Sequence, residues 1–162
     1  LDAVQPAAEI PNATAHLAES ALNGAIGDRL AAQGSQLAIE LAFVHQRRRL
    51  DLTAAAIAAA MPAASPKLAV FVHGLMANEE VWRFFAPIHY GDDHTCYGSR
   101  LRDDFGYTPL YVRFNSGLRV AENAEAMAER LDQLVAAWPV EVEEITLIGH
   151  SMGGLVARGA YR

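Results

Sequence analysis

Gly149-His150-Ser151-Met152-Gly153 sets a serine between two glycines, directly after the apolar run Glu144-Ile145-Thr146-Leu147-Ile148 and before the helix-like tail Gly154-Leu155-Val156-Ala157-Arg158. A serine on a sharp strand-to-helix turn has its hydroxyl lifted to the top of a sheet, and flanking glycines permit backbone crowding that side chains would block. Ser151 is therefore the candidate nucleophile for attack on an acyl carbonyl. That attack develops negative charge on the carbonyl oxygen, which preorganised N–H donors stabilise. A second loop supplies candidates for the donors. Lys67-Leu68-Ala69-Val70-Phe71-Val72 reads as a buried strand and ends in His73-Gly74-Leu75-Met76. The expected oxyanion donors are the N–H of Met152, next after the nucleophile, and that of Leu75, with Gly74 allowing close backbone approach. His73 reads as a loop residue that orients the turn through a hydrogen bond, in preference to a proton-transfer group. The strained turn should aim His150 away from Ser151, so it reads as packing beside the elbow.

The elements that must hold these loops are legible on either side. Val120, Ala124, Met127, Leu131, Leu134 and Trp138 follow helical spacing, with Glu122, Glu125, Glu129 and Asp132 on the other face. That stripe predicts a helix over 120–138 packed on a sheet. Flanked by strands Leu110 to Phe114 and Ile145 to Ile148, it makes a strand-helix-strand crossover, which places the strands parallel and Asn115 and Ser151 on one rim. Upstream, Leu17, Leu22, Ile26 and Leu30 predict helices over 14–22 and 25–33 with Gly34 as the stop. Leu37, Ile39, Leu41 and Phe43 alternate with Ala38, Glu40 and Ala42, which predicts a strand. Thr53 can cap a short helix through Met61, Pro62 to Pro66 breaks the chain, and a helix is expected over Ser99 to Phe105. The division is an N-terminal helical lead-in with the first strand over 1–66 and the core carrying the loops over 67–162.

Val72-His73-Gly74-Leu75, the run Tyr107-Thr108-Pro109-Leu110-Tyr111-Val112-Arg113-Phe114-Asn115-Ser116-Gly117, Glu122-Asn123 and Leu147 through Arg158 resemble the α/β-hydrolase superfamily. More narrowly they resemble its bacterial lipase- or esterase-like members, including those grouped with the GPI inositol-deacylases. The resemblance spans roughly residues 67 to 162, and the Gly-His-Ser-Met-Gly-Gly elbow is its most specific part. It implies a mostly parallel α/β sheet with helices on both faces, and a triad in the chain order Ser, acid, His. All six histidines, His16, His45, His73, His89, His94 and His150, precede Ser151. The resemblance thus implies that the acid and the base lie beyond residue 162, and that the chain is an N-terminal fragment truncated after the elbow. A second arrangement would take His73 as base with Asp103 or Asp104 to orient it.

Composition agrees with a globular piece: 162 residues, 52% hydrophobic and 20% charged, short for a complete hydrolase domain of about 250 residues. A net charge of -6 argues against a nucleic-acid partner, because neutralising phosphates needs a basic surface. Arg47-Arg48-Arg49 reads as a solvated loop after a strand. No apolar run approaches the roughly 20 residues of a membrane span. A cytoplasmic setting is the simpler expectation, and export stays open because a segment before Leu1 would carry any signal. Cys96 is alone, so no internal disulfide can form. The cluster His89-Tyr90-Gly91-Asp92-Asp93-His94-Thr95-Cys96 crowds nitrogen, oxygen and sulfur donors, but its spacing fits no standard zinc arrangement, and neither metal nor cofactor is expected. It reads as a polar surface loop.

What the resemblance implies for function is a serine hydrolase of carboxylic esters, acting on a small-molecule or lipid ester through an acyl-enzyme on Ser151. Gly149 and Gly153 support the elbow. Trp82, Phe84, Phe85 and Leu118 are compatible with an apolar acyl pocket. A related acyltransferase, thioesterase or amidase would share these residues. The alternatives from other classes are a non-catalytic hydrolase-like binding module and an inactive truncation with an exposed strand edge at Ile145 to Ile148. The sequence carries no signal for an oligomeric state.

Overall fold

A computed structural model describes residues 13–92 and 94–161. Five strands form one sheet in the order β2-β1-β4-β3-β5, with β1 at Ala42–His45, β2 at Arg48–Arg49, β3 at Lys67–Val72, β4 at Thr108–Arg113 and β5 at Glu144–Gly149. The central strand β3 is paired in parallel with β4 (Val72 opposite Val112) and with β5 (Val72 opposite Gly149). Its near-continuous burial is what a parallel strand covered on both faces requires. The C-terminal ends of β3, β4 and β5 therefore share one rim, where the loops with His73, Asn115 and Ser151 emerge. β1 and β2 are antiparallel additions on the far side of β4.

Helices cover both faces. On one, Leu68, Val70, Val72, Leu110 and Val112 join one core with Met127 and Leu134 of α5 (Val120–Ala137) and Val156, Ala157 and Ala160 of α6 (Met152–Ala160). Phe43, Leu50, Met61 and Ile57 of α2 (Ala54–Ala60) belong to the same core, so residues before 67 pack into it directly. On the other face Phe71 stacks on Tyr111 with ring centroids 5.1 Å apart and meets the edge of Trp82, also at 5.1 Å. A 3-10 turn at Glu79–Trp82, α3 at Ala86–Tyr90 and α4 at Tyr97–Phe105 complete that layer. This is the α/β-hydrolase architecture that the sequence motifs imply. Among the described residues β5 is a sheet edge, and no helix is long and apolar enough to cross a membrane.

The expected helices over 14–22 and 25–33 run on as one element, α1 (Ala13–Ala32), kinked at Ile26 with φ −140° and ψ 20°. Gly34, at φ +62°, ends it where the sequence places the stop. Gly34 N–H donates to Ala31 O and Ser35 N–H to Leu30 O, the paired C-terminal closure that a left-handed residue allows. Thr53 caps α2 by accepting the Ala56 N–H.

Three sequence expectations are corrected. The strand starts only at Ala42, because the backbone groups upstream are already engaged: Asn23 Nδ2 donates to Leu37 O at 2.7 Å and Asn23 Oδ1 accepts the Ile39 N–H at 2.9 Å. Leu37 is exposed, while Leu41, Ala42, Phe43 and Val44 are all buried, so the alternation of residues 37–43 is not used. Arg47-Arg48-Arg49 is no free loop. Gln46 (φ 48°) and Arg47 (φ 66°) form a two-residue hairpin turn that matches strand twist, and Arg48–Arg49 is the edge strand. Arg47 grips Glu80 with two nitrogens, at 2.8 and 3.0 Å. The helix expected from Ser99 begins at Tyr97, because Ser99 Oγ accepts the Cys96 N–H and closes its first turn.

Candidate active site

The elbow is built by crossing backbones. β5 ends at Gly149, the His150 N–H extends its pairing by donating to Val72 O at 3.0 Å, and α6 starts at Met152. Ser151 between them has φ 53° and ψ −124°, a sparsely populated conformation for any residue with a Cβ, costing about 1–3 kcal/mol. Close approach fixes the neighbouring glycines: a Cβ at Gly149 would lie 2.7 Å from Gly153 C, and one at Gly153 2.7 Å from Val72 C. Gly154 meets nothing nearer than 3.8 Å. Gly153→Ala should therefore push α6 off β3 and destabilise by about 2–4 kcal/mol, whereas Gly154→Ala, inside a helix, should be neutral or stabilise by up to about 1 kcal/mol. Thermal unfolding of the two variants checks the contrast.

The loop after β3 lies against the elbow. A Cβ at Gly74 would sit 3.1 Å from Ser151 Cβ and 3.1 Å from His150 Nδ1. Among the described residues, no acceptor takes the Leu75 or the Met152 N–H, and nothing hydrogen-bonds Ser151 Oγ. Two donors without partners thus belong to the segments that meet at an exposed serine. His150 is exposed and meets Trp82 edge-on, at 6.4 Å between centroids. Trp82 also faces Tyr97 at 6.3 Å, while Phe84 and Phe85 are exposed, so an aromatic surface borders the elbow on the α3–α4 side. Leu118 is half-buried on the loop after β4. A concavity between the β1–β2 hairpin and α2 lies away from the elbow and is lined by no serine, threonine or cysteine.

His73 is fully buried and both of its nitrogens are used. Nδ1 is 2.9 Å from Gly74 O and Nε2 is 3.3 Å from the Phe114 N. The backbone N–H can only donate, so Nε2 is the acceptor and Nδ1 carries the proton. The ring stacks on Phe114 at 4.2 Å, and burial pushes its pKa down to about 4, against the smaller opposing pull of the Gly74 carbonyl. His73 therefore ties the end of β3 to the end of β4 as a neutral ring. Between pH 6.5 and about 4 the unfolded chain binds this proton and the folded chain does not, so stability is complete above pH 6.5 and falls as the pH drops through that window. The loss should reach roughly 3 kcal/mol. Burial lowers the pKa of His45 as well, so the readout is the difference between wild type and His73→Gln. Urea midpoints across the window should show a shallower slope in the variant.

None of the other histidines is hydrogen-bonded to Ser151. His16 contacts Glu19 within α1 at 3.5 Å. Asp103 and Asp104, the conceivable orienting acids, are paired on α4 with Arg102 at 2.8 Å and Arg100 at 2.7 Å. In the loop that raised a zinc arrangement, Asp92 accepts the His94 and Thr95 N–H groups and the Thr95 hydroxyl, and Cys96 Sγ faces Tyr111 Oη at 3.4 Å. No group of three His, Cys, Asp or Glu side chains could hold a metal ion among the described residues, and Asp93 lies outside them.

Sequence reasoning placed Asn115 on the rim but missed that a set of polar residues around it is buried and hydrogen-bonded. Glu79 and Glu80, two adjacent carboxylates, are both buried. Arg113 holds Glu79 with two nitrogens and Arg47 holds Glu80; burial alone would raise the Glu80 pKa, but the Arg47 guanidinium keeps it below its ordinary value. Asn115 Nδ2 donates to Gly27 O at 2.9 Å, Asn123 Nδ2 donates to Asn115 O at 2.9 Å, and Ser116 Oγ accepts the Met76 N–H at 2.9 Å. The only local signal was the turn-forming Asn115-Ser116-Gly117 after a strand.

A strained serine stands between strand and helix, beside the loop of the neighbouring parallel strand. The chain belongs to the alpha/beta hydrolase family, whose model matches residues 69–161, over half of its length. No curated protein and no solved structure matches it.

Proposed function

We propose that the protein is a serine hydrolase of carboxylic esters, of the lipase- or esterase-like branch that includes the GPI inositol-deacylases. Ser151 Oγ attacks the ester carbonyl, the N–H groups of Leu75 and Met152 receive the oxyanion, and an acyl-enzyme forms with loss of the alcohol. Water then releases the acid. The observation that carries this reading is the left-handed Ser151, held against Gly74 between two glycines that admit no side chain. Strain of that kind persists where surrounding structure over-determines it, as at reactive turns. His73, Gly74, Gly149, His150 and Gly153 shape the elbow, and His73 does so as a neutral brace.

Proton transfer needs a histidine and a carboxylate from outside the described residues, since the six histidines here are engaged elsewhere or unbonded to Ser151. The aromatic surface of exposed Phe85 and Tyr97 and half-buried Trp82 favours an apolar acyl group over a charged one. Hydrolysis of p-nitrophenyl esters of increasing acyl length by the protein purified from its own cells tests this. The expected result is a rate that rises from acetate to a longer apolar chain. Absence of hydrolysis across the series would refute the reading.

A further inference from the structure

Met76 is held from two sides in a conformation that its side chain disfavours. Gly74 O accepts the Ala77 N–H at 3.4 Å, closing a turn with Leu75 and Met76 at its centre, and Met76 has φ +57°. A positive φ at the second central position defines a turn form usually given to glycine or asparagine, because a Cβ crowds the left-handed region. Methionine there needs outside support. Ser116 supplies one part: its buried hydroxyl accepts the Met76 N–H at 2.9 Å. Gly24 of α1 supplies the other, since a Cβ at that position would lie 2.9 Å from Met76 Cα, and only glycine lets the helix close on this residue.

Rotating the Leu75–Met76 peptide into the commoner turn form would give Met76 a negative φ and swing its N–H away from Ser116. The hydroxyl therefore selects between two turn forms. Its own loop is anchored: Asn115 is hydrogen-bonded to Gly27 and Asn123, and Asn115 Oδ1 accepts the Gly117 N–H at 3.0 Å.

We propose that Ser116 and Gly24 are positioning residues that pin Met76 and, through it, hold the adjoining Leu75 N–H of the oxyanion loop in place beside Ser151. The proposal rests on the ester-hydrolase reading of Ser151. Neither residue touches substrate; both act through Met76.

Butylboronic acid probes the site without turnover. Ser151 Oγ adds to boron, one B–O bond forms, the hydroxyl proton passes to water, and the tetrahedral anion presents an oxygen to the two N–H groups. Its affinity is read by boron NMR, and the Met76 amide by hydrogen exchange. Ser116→Ala should weaken the boronate about tenfold, the scale of one lost hydrogen bond, and speed Met76 exchange. Gly24→Ala, which displaces Met76 without deleting the hydroxyl, should weaken the boronate as well. Adding Met76→Gly to Ser116→Ala removes the Cβ that disfavours the turn and should recover most of the affinity, a rescue that general loosening of the fold does not produce. Ser116→Ala that binds within twofold of wild type, with Met76 exchange unchanged, overturns the latch and leaves Ser151 as nucleophile. A wild-type protein that forms no boronate adduct at Ser151 overturns the nucleophile reading, and the latch falls with it.

Discussion

On the proposed function, Ser151→Ala should lower kcat for p-nitrophenyl butyrate by about 10⁴- to 10⁶-fold in the protein purified from its own cells, because every later step depends on the bond that Oγ forms. The same position should separate activity from stability. Ser151 holds φ 53° with a Cβ in place, so Ser151→Gly removes the steric cost while deleting the hydroxyl. The glycine variant should be as inactive as the alanine one yet more stable than wild type by about 1 kcal/mol, the relief being partly offset by the added freedom of the unfolded chain. Steady-state rates and thermal unfolding of both variants check this pair of effects. A glycine variant that unfolds earlier than wild type would mean that the turn is unstrained and that its geometry carries no catalytic information.

The second large effect concerns the 162-residue chain by itself. Its turnover should not exceed that of its own Ser151→Ala variant, a deficit of roughly 10³-fold or more against an intact triad. His73 is buried, neutral and committed to Gly74 and Phe114, and His150 faces Trp82. A serine hydroxyl with no adjacent base is a weak nucleophile at neutral pH, even with oxyanion donors in place. Robust Ser151-dependent hydrolysis by this chain would show that a histidine already on it reaches Oγ, and His16 on α1 and His73 would be the first to substitute.

How much of this was legible in the sequence follows from the range of the interactions. The elbow, β3 and α5 are written in consecutive residues, an apolar run broken by glycines or a stripe at helical spacing, and the structure places them as β3, β5, α5 and α6. The strand expected over 37–43 starts only at Ala42 because alternation records only side-chain polarity, whereas the backbone of Leu37 and Ile39 is claimed by Asn23, 14 and 16 residues earlier. The arginine run failed for the same reason. A left-handed turn at Gln46 and Arg47 has no sequence signature, and the Glu80 that fixes Arg47 lies 33 residues on. Likewise Ser116 meets Met76 across 40 residues, so its place under the oxyanion loop follows from the parallel pairing of β3 with β4 and from no local pattern. What chemistry the residues could do was readable locally. How the loops are braced was not.

The most direct test of the central claim is to treat the protein purified from its own cells with an alkyl fluorophosphonate and locate the adduct by peptide mapping. The account predicts a single label on the Ser151 hydroxyl, together with loss of ester hydrolysis in proportion to labelling. Ester hydrolysis that persists with Ser151 labelled, or a label confined to another residue, would contradict it.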